Sequence, residues 1–177
     1  FGLSTSSTAG ADAAAGQCDE LLEAVETWLR GHGKSLSHAA FAEVQVSDLS
    51  CFEAVNAAYA RHFTANPPSR VCIETPLPGG LHVRLRLVLG AGGANDAEMR
   101  NALRVQSIST WAMASIGPYS QARRLSSGVL LSSGVLGLVP HSMVLPDAVK
   151  AMEATRDEEE AQMPADQMEA ELWLLMR

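Results

Sequence analysis

Aromatic side chains make up only 5% of the 177 residues, so any core must be assembled mainly from Leu, Val and Ala. Long apolar runs are missing as well. The longest, from about Gly128 to Val139, is interrupted by Ser132, Ser133, Gly134 and Gly137, which leaves it too short and too polar to span a bilayer. No basic-then-apolar leader opens the chain, so we expect a soluble protein without a visible targeting signal and without membrane attachment. Cys18, Cys51 and Cys72 are odd in number and widely spaced, which fits neither a disulfide framework nor a Cys-x-x-Cys metal pair. A reducing, cytoplasmic compartment is the expected setting. The five histidines (32, 38, 62, 82 and 141) show no ligand spacing, and no metal site is expected.

Positive charge is in short supply too. The net charge of −7 argues against general affinity for nucleic acid. The charge is unevenly spread, however. Arg70, Arg84, Arg86, Arg100, Arg104, Arg123 and Arg124 face only Glu74, Asp96 and Glu98 in the middle of the chain, which reads as a modest basic surface or simply a solvated face. From Asp147 onward nine acids stand against three bases.

With 47% apolar residues, the chain can bury one good core or two small ones. Phe1 to Ala15 is rich in Ser, Thr, Ala and Gly and reads as loop. A helix is expected from about Gln17 to Arg30, with Leu21, Leu22, Val25, Trp28 and Leu29 on one face and Gly31 and Gly33 as its stop. Ala40 to Val46 alternates as a strand does, with Ala42, Val44 and Val46 on one side. Ser50 and Glu53 are spaced as a capping box for a helix bearing Phe52, Val55, Tyr59 and Phe63. Arg70 to Thr75 is a short strand. After a turn at Pro78-Gly79-Gly80, a strand puts Leu81, Val83, Leu85, Leu87 and Leu89 inward and His82, Arg84 and Arg86 outward. Gly90 to Asn95 reads as linker. Strands are expected at about Leu103 to Ile108 and Gly128 to Ser133, with a turn at Gly117-Pro118. Ala151 to Gln162 is acidic and reads as loop or frayed helix. Pro164 opens a last helix lined by Met168, Leu172 and Leu175, and its uncapped stop at Arg177 implies that the chain is cut there.

Two stretches resemble a known family. Phe52-Glu53-Ala54-Val55-Asn56-Ala57-Ala58-Tyr59, followed by Asn66-Pro67-Pro68-Ser69-Arg70-Val71-Cys72-Ile73-Glu74, looks like the second half of a Rid (YjgF, L-PSP) domain. Ile116-Gly117-Pro118-Tyr119-Ser120-Gln121-Ala122, then Leu131-Ser132-Ser133-Gly134, is similar to the opening of one. In a single Rid domain their order is reversed. Here the order is that of a junction between consecutive domains, as in the tandem Rid region of eukaryotic diphthine–ammonia ligases. The wording around Asn66 to Cys72, with Gly137-Leu138-Val139-Pro140 and Ser142-Met143, resembles that family more than the free-standing deaminases. The resemblance implies an α/β (α+β) chorismate-mutase-like fold made of two partial Rid domains in permuted order. Residues 1–90 would close a first domain, 91–102 would link, and 103–177 would open a second. The halves on either side of Gly90–Asn95 are expected to pair, Leu81–Leu89 against the Gly128–Ser133 region, because each alone would expose a sheet edge.

By the same resemblance Arg70 is the arginine that pairs with a substrate carboxylate, a task that suits a planar fork of donors. Asn56, Tyr119, Ser133 and Gly134 match positions around that pocket. Each also has a plain structural reading. Arg70 can serve a structural ion pair at a strand start, Asn56 can sit on a helix edge, Tyr119 can be a turn aromatic, and Gly134 can mark close packing. Cys72 reads as a buried small residue rather than a nucleophile.

The chain departs from the active deaminases at one point. Where they carry a glutamate on the last strand, the outward residues here are Arg84 and Arg86, and a guanidinium stays protonated and cannot act as a base. No catalytic residue is therefore assigned. The expected function is a non-catalytic assembly or ligand-binding module of a diphthine–ammonia ligase. Such an enzyme carries out the last, ATP-dependent step of diphthamide synthesis on elongation factor 2. No cofactor is expected in this chain, because the ATP-pyrophosphatase loop of that family is absent from it. Self-association and a small carboxylate ligand are the expected partners. An imine deaminase is the first rival, and a glutamate within reach of Arg70 would favour it; Glu74 is the one in view. An RNA-binding or RNA-cleaving module is the second, and it would need more aromatic platforms than Trp111 and Tyr119.

Overall fold

The computed structural model describes residues 8–90 and 102–145. Its first element, helix α1 (Thr8–Gly31), begins well before the Gln17 start that the hydrophobic spacing predicts. Residues 8–15, expected as loop, form its opening turns. The alanines there have the highest helix propensity of any residue, and Ala11, Ala14 and Ala15 pack onto the core. The buried face continues through Cys18, Leu22 and Leu29, with Leu21 and Val25 beside it. Trp28 does not join it. Leu29 takes the buried position one heptad after Leu22, and Trp28 is left 59% exposed, tilted over His32 at 4.1 Å between ring centroids. The helix ends in a Schellman motif. Lys34 N–H donates to the Leu29 carbonyl, Gly33 N–H donates to that of Arg30, and Gly33 holds φ +67°.

Strand β1 (Ala39–Val46) lies at the centre of a three-stranded sheet, with β2 (Ser69–Glu74) parallel on one side and β3 (Val83–Leu89) antiparallel on the other. Ala42, Val44 and Val46 are fully buried while Phe41, Glu43 and Gln45 are only half covered, as their alternation predicts. The parallel step from β1 to β2 needs a crossover, supplied by helix α2 (Phe52–His62). Val55, Ala58 and Tyr59 of α2 join Leu22 and Leu29 of α1 in one cluster over the inner face of the sheet. Each large apolar side chain there contributes roughly 1.5–3 kcal/mol. On β3, Val83 is buried and Leu85, Leu87 and Leu89 pack on the same cluster; Leu81 precedes the strand and is exposed.

Two details of capping differ from the sequence pattern. The Ser50–Glu53 box does not form, because a 3₁₀ turn (Leu49–Cys51) precedes α2 and starts the helical path earlier. Its free donors are met by two carboxylates instead: Asp48 accepts from Ser50 N–H at 2.7 Å and Glu74 from Leu49 N–H at 2.8 Å. The turn at 78–81 closes through Leu81 N–H to the Pro78 carbonyl, with Gly80 at φ +81°, the third-position conformation of a type II turn. Gln17 of α1 clips it, donating to the Gly80 carbonyl at 2.8 Å and accepting from His82 N–H at 2.7 Å.

A second, smaller sheet has the order β4 (Ala102–Leu103), β5 (Ala122–Arg124), β6 (Leu130–Ser132), all antiparallel. Of the strand expected over 103–108 only Leu103 belongs to a strand, β4; the strand expected over 128–133 keeps its middle, and β5 has no counterpart among the expected strands. The two halves of the sequence do meet, but through β2 rather than through Leu81–Leu89. Ser69 forms an isolated parallel bridge with Ser120, its hydroxyl donates to the Leu131 carbonyl at 2.8 Å, and Ser120 N–H donates to the Pro68 carbonyl at 3.0 Å.

The described residues of Phe1–Arg104 and Ser115–Gly134 form one compact unit that holds both sheets and both helices; those of Val105–Ala114 and Val135–Arg177 form another. In the second, Val139 and Val144 make an antiparallel bridge and Ala114 N–H points at Met143 Sδ, 3.3 Å away. Most of the expected linker, the acidic stretch and the last helix lie outside the described residues. Among those described, no helix is long and apolar enough to cross a membrane.

Candidate anion-binding site

Arg70 is the second residue of β2 and pairs in register with Ala42, so its side chain lies on the same inner side of the sheet as the core. It is only 4% exposed. Aromatic rings surround the guanidinium carbon: Tyr59 at 4.8 Å, Tyr119 at 5.3 Å and Phe52 at 6.0 Å from the ring centroids. No described residue gives this guanidinium a hydrogen bond or an ion pair. Burial pulls its pKa down, and no carboxylate offsets that pull; what opposes it comes from Tyr59, Cys72, Tyr119 and Cys18. A buried cation without a counter-charge is costly, and an anionic ligand would relieve the cost.

Gly117 closes the site on one side. A Cβ built on it would stand 2.9 Å from Arg70 Nη2 and 3.3 Å from Asn56 Oδ1, so guanidinium, amide and bare backbone converge on one spot. The approach depends on a γ-turn at Pro118, closed by Tyr119 N–H to the Gly117 carbonyl at 2.9 Å. Tyr119 then leans over Arg70, and its hydroxyl accepts from Ile116 N–H at 3.4 Å. Beneath, the Tyr59 hydroxyl is buried with no hydrogen-bond partner among the described residues, and burial pushes its pKa well above the usual phenol range.

Arg70, Asn56 and Tyr119 thus gather around Gly117. Ser133 and Gly134 meet Arg70 differently, along its backbone. Gly134 N–H donates to the Arg70 carbonyl at 3.1 Å, and a Cβ on Gly134 would press on Val71 Cγ2 at 3.3 Å. Ser133 is buried, with its N–H on the Gln121 carbonyl and its hydroxyl on that of Gly134. Cys72 follows Arg70 on the same side, and burial raises its pKa; burial likewise pushes the Cys18 thiol up to about 11, so neither is an activated nucleophile.

The sequence did not single out Arg123, Tyr59 or Gly117. Arg123 was counted with a basic surface but is 2% exposed. It donates to the carbonyls of Asn66 and Pro67, and Ser120 Oγ donates to Pro67 as well, at 2.6 Å. This clamp fixes the turn that leads into β2. Tyr59, also an apolar-face residue of α2, and Gly117 both stand inside the two stretches that carry the resemblance and could have been found from them. The described arginines of that stretch form no single basic face: Arg70 and Arg123 are inside, and Arg84 and Arg86 stand exposed opposite Gln45 and Glu43 on the other side of the sheet. They do not share the Arg70 pocket. Glu74, occupied at Leu49 N–H, supplies no base beside Arg70. Among the described residues no group of three or more His, Cys, Asp or Glu comes together.

No family model matches the chain. Over 77 residues it is 30% identical to a RutC family protein of Sulfurisphaera tokodaii, covering 43% of this chain and 62% of that protein. A solved member of the YjgF protein family from Neisseria meningitidis aligns with a TM-score of 0.43 at 23% identity, over 49% of this chain and 71% of its own. The chain carries a Rid-like region of mixed α/β structure. Longer matches are to diphthine–ammonia ligases. That of Schizosaccharomyces pombe is 34% identical over 131 residues, 73% of this chain and 21% of the ligase. That of Saccharomyces cerevisiae is 34% identical over 119 residues, 60% of this chain and 17% of the ligase. The chain spans about a fifth of the length of these relatives.

Proposed function

We propose that this chain is the junction of two Rid-like domains in a cytoplasmic diphthine–ammonia ligase, acting as an assembly and small-carboxylate-binding module rather than a catalyst. In this reading ATP binding and the amidation of diphthine on elongation factor 2 belong to another part of the protein. One observation carries the binding role: Arg70 is buried among aromatic rings with no carboxylate partner among the described residues. A guanidinium so placed recognises an anion in a low-dielectric setting, where the pairing is strong. The same observation argues against turnover. Imine hydrolysis needs a polarised water, and the loss of a general acid or base typically costs roughly 10²–10⁴-fold. The bases in view are engaged elsewhere, Glu74 at Leu49 N–H and Glu43 with Arg86.

The test is a calorimetric titration with 2-oxobutanoate alongside an assay for 2-iminobutanoate hydrolysis and one for RNA cleavage. Saturable carboxylate binding that disappears in Arg70→Gln, with hydrolysis and cleavage at background, is the expected result. Substantial hydrolysis abolished by Arg70→Gln would overturn it in favour of an imine deaminase.

A further inference from the structure

The face of the β1–β3 sheet turned away from the helices carries a cavity of about 300 Å³, lined by Glu43, Gln45, Arg84, Leu85 and Arg86. That size lies at the lower end of small-molecule sites, which run from roughly 300 to 1,000 Å³. Register places Gln45 opposite Arg84 and Glu43 opposite Arg86, so four polar side chains from two strands share one patch.

Their hydrogen bonding is unequal. Glu43 accepts from Arg86 and from Gln45 Nε2, the latter at 2.6 Å. Hydrogen bonds from Arg86 and Gln45 hold its carboxyl below the usual range, so it stays an anion with its acceptors in use. Arg84 has no hydrogen bond or ion pair with any described residue. Two guanidiniums against one carboxylate leave an excess positive charge, and the groups still free are mainly donors. A ligand here must bring negative charge and acceptor atoms. Beyond Glu43 and Arg86 the next register pair on this face is Phe41 with Val88, and Val88 is 43% exposed. The patch therefore ends in an apolar flank.

We infer that this outer-face cavity is a second anion site, separate from the Arg70 pocket, that takes a small organic oxyanion: a phosphate or carboxylate head on Arg84 and Arg86 with a compact apolar body toward Phe41 and Val88. It stands independently of the Arg70 reading, because Arg70 lies on the opposite side of the sheet.

The test is an amide-resolved NMR titration of the whole chain with phenyl phosphate and, separately, benzoate. Saturable shifts clustered on β1 and β3 with either probe are expected, weaker by about tenfold in Arg84→Gln and unchanged in Arg70→Gln. The preferred probe identifies the head group. Arg84 is exposed and unbonded, so its replacement leaves the fold intact. Shifts confined to the Arg70 pocket, shifts that survive Arg84→Gln, or no saturable shift with either probe would each overturn the inference. So would self-association through this face that excludes both probes.

Discussion

The bare Cα of Gly117 sits where a methyl group would come within 2.9 Å of Arg70 Nη2. The site is shaped by the absence of a side chain as much as by the guanidinium itself. Gly117→Ala should push the guanidinium or the Asn56 amide aside, because the Asn56 oxygen, 3.3 Å from the same point, leaves little room for retreat. Overpacking of this kind costs about 1–3 kcal/mol. We expect carboxylate binding to weaken by about tenfold with a modest drop in Tm. Gly79→Ala, at a position with open space around it, should change neither quantity.

Replacing Arg70 by Met should abolish anion binding without lowering stability. Removing a buried, unpaired cation recovers its desolvation cost, while the lost ring contacts are worth about 0.5–2 kcal/mol each. Urea denaturation of Arg70→Met should give a midpoint equal to or above the wild-type value. Arg70→Ala, which leaves a void, should fall below it. A clear loss of stability in the Met variant would mean that Arg70 is a structural residue.

Arg123→Ala strips the Asn66 and Pro67 carbonyls of buried donors, and we expect a loss of about 2–4 kcal/mol. Arg123→Lys should recover only part of it, since one ammonium cannot reproduce the fork that spans both carbonyls. Limited proteolysis should find new cleavage within residues 115–134 before the helices are touched.

Acid should weaken the α1–α2 contact through Asp19. Burial raises its pKa, but hydrogen bonds from Arg61 and His62 outweigh that, and the carboxyl titrates below its usual value. A folded-state pKa below the unfolded value of about 3.9 gives stability that is complete well above the unfolded value and lost as pH falls through the folded one. Asp19→Asn should therefore lower Tm at pH 7. The gap from wild type should narrow as pH falls from about 5 through the unfolded value and below it. A gap that stays constant over that range would assign the loss to packing.

The central sheet was legible because its signals are periodic. The alternation at 40–46 and 83–89 gave both faces, and the Ser-to-Glu spacing at 50–53 located the start of α2 even though Asp48 and Glu74 do the capping. The start of α1 was not legible, because alanines carry no amphipathic contrast against Ser, Thr and Gly. Strands as short as β4, β5 and β6 cannot show a period of two at all. For the site, the Arg70, Asn56 and Tyr119 cluster followed from motif resemblance and not from pattern. The burial of Arg123 was hidden because an arginine that hydrogen-bonds backbone carbonyls looks, in sequence, like any surface arginine.

The clamp on the edge of β2 has a consequence in time. Its bonds join residues 53, 56 and 62 positions apart, whereas α1, β1 and α2 follow one another directly in the chain. Closing such long loops carries an entropic cost before any contact offsets it, so this step should follow the packing of α1, β1 and α2. Gly117 and Tyr119 arrive with it. The Arg70 pocket is then completed only when residues 115–134 dock, and an anion held there should slow their release.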